Sequence, residues 1–369
     1  MRVPFLRPVA GRQPIDSRLV CLLLAVLAGC DHAAPPQPEP YGPNGPLDPG
    51  SPRRVTFSSG VEWMPAWLPD GSGFLFSRER LDRPDRDRCL ALMPADGAPI
   101  SGELCNRAVA AADSVDVYEA PAAAPDGRLA YVQANSPRVP RTVSPRAQAL
   151  VLSRLDGGGD ARRLQSIPYV GPSGRAHEGI SQVRWLGPDA LVYLAERVAY
   201  PRPCPLCIID TVRWGLEVVR LDLSAPTPVA IMLAGTDQAS SVAAAGSDTV
   251  YYTLNGDTRV FRYVLSRDSL SVVHDFGPAG IARDVQVAAG RLVAVVGGVV
   301  SFGVDPVFGP MQRDSGGALL LVSLATGAET LLSDSTMALR RPALSPDGRT
   351  VVAERVLGGT ADLWMWELP

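Results

Sequence analysis

The chain has 369 residues, of which 46% are apolar and 20% are charged. This composition excludes wholesale disorder, because disordered chains combine few apolar residues with a high net charge. The formal charge of −3 at neutral pH provides no basic surface of the kind that nucleic-acid-binding proteins carry. We therefore expect a folded domain that has no nucleic-acid partner.

The N-terminal segment has the layout of a secretory signal. Four arginines precede an apolar run over residues 19–27, and small residues follow this run. The run is too short to span a bilayer as a helix, which needs about 20 apolar residues. Residues 1–29 are therefore predicted to be a signal peptide, and their removal changes the formal charge from −3 to −6.

The signal ends in Leu27-Ala28-Gly29-Cys30. This motif resembles the lipobox of bacterial lipoproteins, which implies cleavage before Cys30 and lipidation of its side chain. The resemblance places the mature protein in the cell envelope, anchored to a membrane through lipid. Residues 30–53 are rich in proline and poor in aliphatic residues, a composition that favours a disordered, semi-extended tether.

Beyond the tether, a short pattern recurs along the chain. Each copy has two strand-like segments around a turn, and the clearest turns are Pro69-Asp70-Gly71, Pro125-Asp126-Gly127 and Pro346-Asp347-Gly348. Proline presets φ, aspartate bonds to its own backbone and glycine accepts positive φ, so each copy is predicted to be a β-hairpin. Weaker copies surround Asp189, Asp248 and Gly290.

A third strand-like segment follows each hairpin, and a fourth follows in most repeats. Six repeats of four strands predict an all-β fold, namely a six-bladed β-propeller with four-stranded blades. The last repeat ends after its third strand. We expect residues 54–57 to supply the missing strand by pairing with residues 362–367, which closes the ring and removes two exposed sheet edges.

The motif Pro65-Ala66-Trp67-Leu68-Pro69-Asp70-Gly71, with the strand-like residues 54–57 before it, resembles the TolB-like family of WD40-type (PD40) propellers. The resemblance extends over residues 54–369 and implies a six-bladed ring, in agreement with the repeat count. TolB proteins carry an additional α/β domain before the propeller, whereas here the tether precedes it.

Two pairs of cysteines are candidates for disulfides. Cys89 and Cys105 flank a turn near Gly97 at equal distances, so antiparallel pairing would place them opposite each other. Cys204 and Cys207 form a CxxC in a proline-rich segment, which is compatible with a redox pair, half of a zinc site or a loop staple. The staple is favoured, because no second CxxC exists and the chain has three histidines. No metal or other cofactor is predicted.

Long insertions separate the second and third strands in four repeats, over residues 78–88, 133–146, 196–215 and 297–316. In a propeller these connections emerge on one face, where long loops on a rigid scaffold commonly bind partners. Exposed aromatics and arginines anchor many interfaces, and the insertions contain Arg138, Arg141, Tyr200, Trp214, Phe302 and Phe308. The alternative is that these rings pack beneath their own loops.

The sequence thus favours an exported, lipid-anchored propeller that binds a protein or another envelope component, rather than an enzyme. The alternative is a propeller lyase or cyclase in which acidic side chains hold a metal in the central channel. The scarcity of histidine and the lack of a paired nucleophile and base favour the binding module. A purely structural propeller is the third possibility.

Overall fold

The structure is a computed structural model and describes residues 51–57, 60–79, 88–104, 114–137, 147–157, 161–199, 212–305, 309–314, 317–357 and 360–369. All of them belong to one compact unit, residues 43–369. Across these ranges the chain forms β-strands and three short 3-10 helices, Leu265–Arg267, Gly277–Ala279 and Ser335–Met337. No helix in the described part of the chain has the length and apolar character needed to cross a membrane.

The strands in chain order are β1 (Arg53–Arg54), β2 (Val61–Trp67), β3 (Gly73–Glu79), β4 (Arg88–Pro94), β5 (Gly102–Leu104), β6 (Ser114–Ala123), β7 (Arg128–Pro137), β8 (Ala147–Arg154), β9 (Arg162–Ile167), β10 (Tyr169–Val170), β11 (Ala176–His177), β12 (Gly179–Trp185), β13 (Ala190–Ala199), β14 (Val212–Asp222), β15 (Val229–Met232), β16 (Ala239–Ala245), β17 (Thr249–Leu254), β18 (Arg259–Val264), β19 (Ser269–Asp275), β20 (Ala282–Ala288), β21 (Arg291–Val296), β22 (Val299–Asp305), β23 (Gly309–Asp314), β24 (Ala318–Ser323), β25 (Glu329–Ser333), β26 (Leu339–Leu344), β27 (Thr350–Leu357) and β28 (Thr360–Glu367).

These strands pair mostly in antiparallel order with their neighbours along the chain. Three four-stranded sheets have the orders β12-β13-β14-β15, β16-β17-β18-β19 and β20-β21-β24-β25. The remaining long strands belong to a twelve-stranded sheet, in which single parallel bridges (Val61 to Ala361 and Arg88 to Val117) join three antiparallel groups. Two separate hairpins, β10-β11 and β22-β23, complete the set. The predicted all-β class is confirmed.

The first strand pairs with the last. Within the β1–β28 ladder, Arg53 lies opposite Met365 and Arg54 opposite Trp364. Just beyond it, the amide of Val55 donates to the carbonyl of Leu363 at 2.9 Å. These contacts join the two segments that the sequence analysis paired.

The Pro-Asp-Gly segments form the predicted turns between first and second strands. In each, the aspartate side chain accepts a hydrogen bond from the amide two residues later, as in Ser72 N to Asp70 Oδ1 at 3.0 Å. The glycine that follows adopts positive φ, 74° at Gly71 and 71° at Gly348. The turn chemistry therefore fixes where each hairpin reverses.

The first strands of successive sheets lie side by side. β2 contacts β6, β6 contacts β12, and the series continues through β16, β20 and β26, which contacts β2 again. Tryptophans bridge neighbouring sheets, because Trp67 Nε1 donates to the Ala343 carbonyl at 3.0 Å and Trp185 Nε1 donates to the Ala122 carbonyl at 2.9 Å. Apolar side chains of adjacent sheets fill the space between them.

Candidate functional site

The first strands enclose a cavity of about 380 Å³, including the solvent at its mouth. Five strands, β2, β6, β12, β20 and β26, contribute its walls. The lining residues are Met64, Pro65, Ala120, Pro121, Gln182, Arg184, Asp284, Gln286, Arg341 and Pro342. The walls thus combine prolines and other apolar groups with a small number of charged side chains, a composition typical of ligand sites.

A β-bulge interrupts each of these five strands at the cavity. Two residues leave the ladder, as between Ser181 and Arg184 in β12. The first residue of each bulge has left-handed backbone geometry: Met64, Ala120, Gln182, Asp284 and Arg341 have φ between 47° and 53°. Bulges re-aim side chains and are common beside functional sites.

Hydrogen bonds from side chains around the cavity connect neighbouring sheets. Each joins a side-chain oxygen of one first strand to a backbone amide of the next, and this fixes the first strands relative to one another. The bonds are Val242 N to Gln182 Oε1 at 2.8 Å, Val285 N to Ser241 Oγ at 3.2 Å and Arg341 N to Asp284 Oδ2 at 3.1 Å.

Behind one wall, Glu354 of β27 is fully buried, accepts hydrogen bonds from Met64 and Arg341 and forms an ion pair with Arg340. Met64 N lies 2.5 Å from its Oε1, Arg341 Nη1 lies 3.0 Å from its Oε2 and Arg340 Nε lies 3.4 Å from the same oxygen. Burial raises the pKa of this carboxyl, while the two guanidiniums and the Met64 amide oppose the rise. Glu354 therefore connects its own sheet to β2 and holds Arg341 at the cavity.

Arg184 is the arginine of the cavity lining that has no carboxylate partner in the part of the chain that the structure describes. It is half-buried, and its Nη1 donates to the Val183 carbonyl at 2.8 Å. Within the described residues, no carboxylate lies within 4 Å of its guanidinium. Burial lowers the pKa of Arg184 to about 10, and the charge of Asp284 on β20 partly opposes this shift. The guanidinium remains protonated at neutral pH.

Arg184 also departs from the repeat. It is the residue at which strand pairing resumes after the bulge, and this position is alanine in β2, β6 and β26 (Ala66, Ala122 and Ala343). In β20 the corresponding residue is Gln286. The sequence already contained this signal, an arginine at a position that is alanine in three of the other repeats, but the sequence analysis above does not include it among the candidate residues.

A second group of polar side chains is buried next to β13. His177 Nε2 lies 2.7 Å from Glu217 Oε1, and both side chains are fully buried. The ring of Tyr169 packs edge-on against the imidazole, and its hydroxyl lies 2.7 Å from that of Tyr193. Burial lowers the pKa of His177 despite the neighbouring carboxylate, and raises the pKa of Tyr169 to about 12. This group is sealed by protein and offers no open site.

Few of the predicted site residues lie in the described part of the chain. Cys89 is disulfide-bonded on β4, and its pairing with Cys105 stays a prediction because Cys105 lies outside the described residues. Phe302 lies on β22, and its side chain is not among those described. The other predicted residues outside the described ranges are Cys30, Arg138, Arg141, Tyr200, Cys204, Cys207 and Phe308.

The prediction that Trp214 is an exposed anchor is corrected by the structure. Its side chain is 8% exposed. The reason is that β13 and β14 extend into the predicted insertion, so that Trp214 pairs with Arg197 within a ladder that reaches Ala199 and Val212. Trp214 thus belongs to the folded sheet, which agrees with the alternative that rings of the insertions pack against their own supports.

The described residues contain no cluster of side chains that could hold a metal ion. No three side chains of the His, Cys, Asp or Glu type come together there as a cation site would need. In the cavity, Asp284 accepts a backbone amide and faces two arginines, an arrangement suited to an anion more than to a cation.

The similarity of this chain to known proteins lies in its fold and not in its sequence. No model of a protein family matches the sequence. No curated protein has a significantly similar sequence.

Solved structures are similar in fold at low sequence identity. The WD40 repeats of RRP9 give a TM-score of 0.51 at 11% identity, covering 88% of this chain and 100% of that one. U3-55K gives 0.50 at 11% identity with the same coverage. TolB from Acinetobacter baumannii gives 0.46 at 16% identity over 83% of this chain, which spans 63% of the TolB chain. The architecture is therefore that of a β-propeller similar to WD40 domains.

Proposed function

Starting from a WD40-like β-propeller fold, we propose that this protein is a binding module anchored at a membrane of the cell envelope. In this proposal residues 54–369 form six four-stranded blades. The six first strands that contact one another in a closed series support this count. The pairing of β1 with β28 supplies the fourth strand of the last blade.

The observation that carries the binding role is the position of the long insertions. They connect β3 to β4, β7 to β8, β13 to β14 and β21 to β24, which are the second and third strands of their sheets. In an antiparallel meander these connections leave every sheet at the same end. We name this set, residues 80–87, 138–146, 200–211 and the hairpin β22–β23, the loop face.

Two features support the loop face as a platform. Pairing between β13 and β14 continues past a bulge to Ala199 and Val212, and β22 and β23 form a hairpin of their own. Backbone hydrogen bonds of these two ladders hold the strand ends from which the connections start. Preorganised segments lose less conformational entropy on binding, which favours recognition of a protein partner.

Anchoring rests on the lipobox-like segment that ends in Cys30. Lipidation there would hold the propeller at a membrane through the tether of residues 30–53. Multiple acyl chains are needed for stable anchoring, because one chain gives marginal affinity. The proposed partner is thus another component of the envelope.

The test is crosslinked capture from membranes with the mature, tagged protein. One variant carries short glycine-serine replacements of residues 200–211 and of the β22–β23 hairpin. A matched control replaces residues 224–228, an exposed connection at the opposite end of the sheet. We expect a specific partner to be captured by wild type and the control, and lost from the loop-face variant.

Equal capture by all three proteins would refute the loop face as the binding surface. If wild type captures no specific partner, the binding role itself is wrong. Metal analysis of the purified protein then examines the alternative of an enzyme with a channel metal.

A further inference from the structure

The geometry points to a carboxylate-binding site in the central cavity, with Arg184 as the group that receives the anion. This inference deepens the proposed binding role, because it specifies the chemistry that one part of the ligand must have. It concerns the cavity between the first strands, not the loop face.

Among the described residues, the guanidinium of Arg184 has no carboxylate partner. Arg184 is half-buried, lines the cavity and makes one hydrogen bond, to the carbonyl of the preceding residue. A guanidinium has five N–H donors in a planar fork that matches a carboxylate. Desolvation of a charge without a counter-charge is unfavourable, so an anion that enters the cavity gains a partner that is already partly desolvated.

The local balance of charge also favours an anion. Three arginines (Arg184, Arg340 and Arg341) surround the cavity or its wall, against two carboxylates, Asp284 and Glu354. Glu354 is engaged by Arg340 and Arg341, and Asp284 accepts the Arg341 amide. The net charge of this group is therefore +1, and Arg184 is the member whose guanidinium has no carboxylate within 4 Å among the described residues.

The sheet arrangement keeps this charge open to the cavity. Arg184 lies on β12 and Asp284 on β20, and the sheet that begins with β16 stands between theirs. Asp284 influences the pKa of Arg184 but is too distant to form an ion pair.

Size and walls define the ligand further. The figure of about 380 Å³ includes the open solvent at the mouth, so the enclosed part has room for little more than a carboxylate group, and a short stem of a few carbon atoms would lie in the mouth. The prolines Pro65, Pro121 and Pro342, with Met64 and Ala120, offer apolar contact beside the charge. The site therefore fits a carboxylate on a short aliphatic stem. That group belongs either to an acidic side chain or chain terminus of the protein partner or to a free carboxylic acid.

The test uses glutarate as the probe and glutaramide as its uncharged counterpart. Binding to the mature protein is measured by calorimetry and by ligand-dependent thermal unfolding. Arg184→Met removes the charge at similar volume, and Arg262→Met, at an exposed strand position, is the matched control. Gln286→Glu keeps the cavity volume and introduces a competing carboxylate, which provides a second variant of conservative size.

We expect glutarate to bind wild type and Arg262→Met, and glutaramide not to bind. Arg184→Met and Gln286→Glu should each weaken glutarate binding at least about tenfold, the scale of one charge-assisted hydrogen-bond pair. Absence of glutarate binding to wild type, or equal affinities in wild type and both cavity variants, overturns the inference.

The capture experiment separates the two sources of the carboxylate. If Arg184→Met loses the protein partner that wild type captures, the partner supplies the acidic group. If capture is unchanged while glutarate binding is lost, the cavity takes a free acid independently of the loop face. Failure of capture with intact glutarate binding would reject the proposed partner and retain the cavity site.

Discussion

Gly215 on β14 is the position at which we expect the largest effect of a single added methyl group. A Cβ built there would lie 1.4 Å from the carbonyl oxygen of Ala239 and 2.5 Å from its carbonyl carbon. Both are backbone atoms at the start of β16, in the next sheet, and cannot turn away as a flexible side chain could. Overpacking of this kind typically costs 1–3 kcal/mol, so Gly215→Ala should cost about 3 kcal/mol or more.

The measurement is equilibrium unfolding in urea, with tryptophan fluorescence as the signal. For an m-value of about 3 kcal/mol/M, a loss of about 3 kcal/mol moves the midpoint down by about 1 M. Gly102→Ala on β5 is the control, because a Cβ there meets nothing within 4 Å. A midpoint for Gly215→Ala equal to that of wild type would refute the close approach of these two sheets.

Three further outcomes are expected. Cys30→Ala should move the protein from the membrane fraction to the soluble fraction and abolish labelling with a fatty-acid analogue; unchanged labelling would contradict lipidation. Glu354→Ala should cost about 3 kcal/mol of unfolding free energy, since it leaves two partly buried guanidiniums without their carboxylate, whereas Glu354→Gln should cost less because it retains an acceptor for Met64 N. The pKa of His177 is lowered by burial, so its contribution to stability is present above about pH 6.5 and is lost as the pH falls through the folded-state pKa. His177→Asn should therefore reduce the stability difference between pH 7.5 and pH 5, and an unchanged difference would be evidence against a buried neutral imidazole.

Local signals in the sequence were sufficient for the hairpins. Asp70, Asp126 and Asp347 each bond to the amide two residues later, and this interaction is encoded within four consecutive residues. Even the weak copy around Gly290 forms its hairpin, between β20 and β21. Strand existence and order were thus predictable, because turn chemistry and alternating β-branched residues act over short distances.

The cavity was not predictable in the same way. The place of Arg184 in the cavity depends on bulges in strands of five different repeats. Its pKa depends in part on Asp284, one hundred positions later in the chain. For Trp214 the prediction was wrong. Its place in a long insertion suggested an exposed side chain, but β13 and β14 continue to pair into this segment and the side chain is buried. Both features depend on contacts between distant segments, which local patterns do not record.

The pairing of β1 with β28 has a consequence for biogenesis. Arg53 and Met365, which face each other there, are separated by 312 positions, so the ladder cannot form until nearly the entire chain has been synthesised. Contacts of such long range slow folding, and until this ladder forms the edges of β1 and β28 are available to other chains. Loss of the C-terminal residues that form β28 would therefore remove the partner of β1 and separate the two ends of the domain.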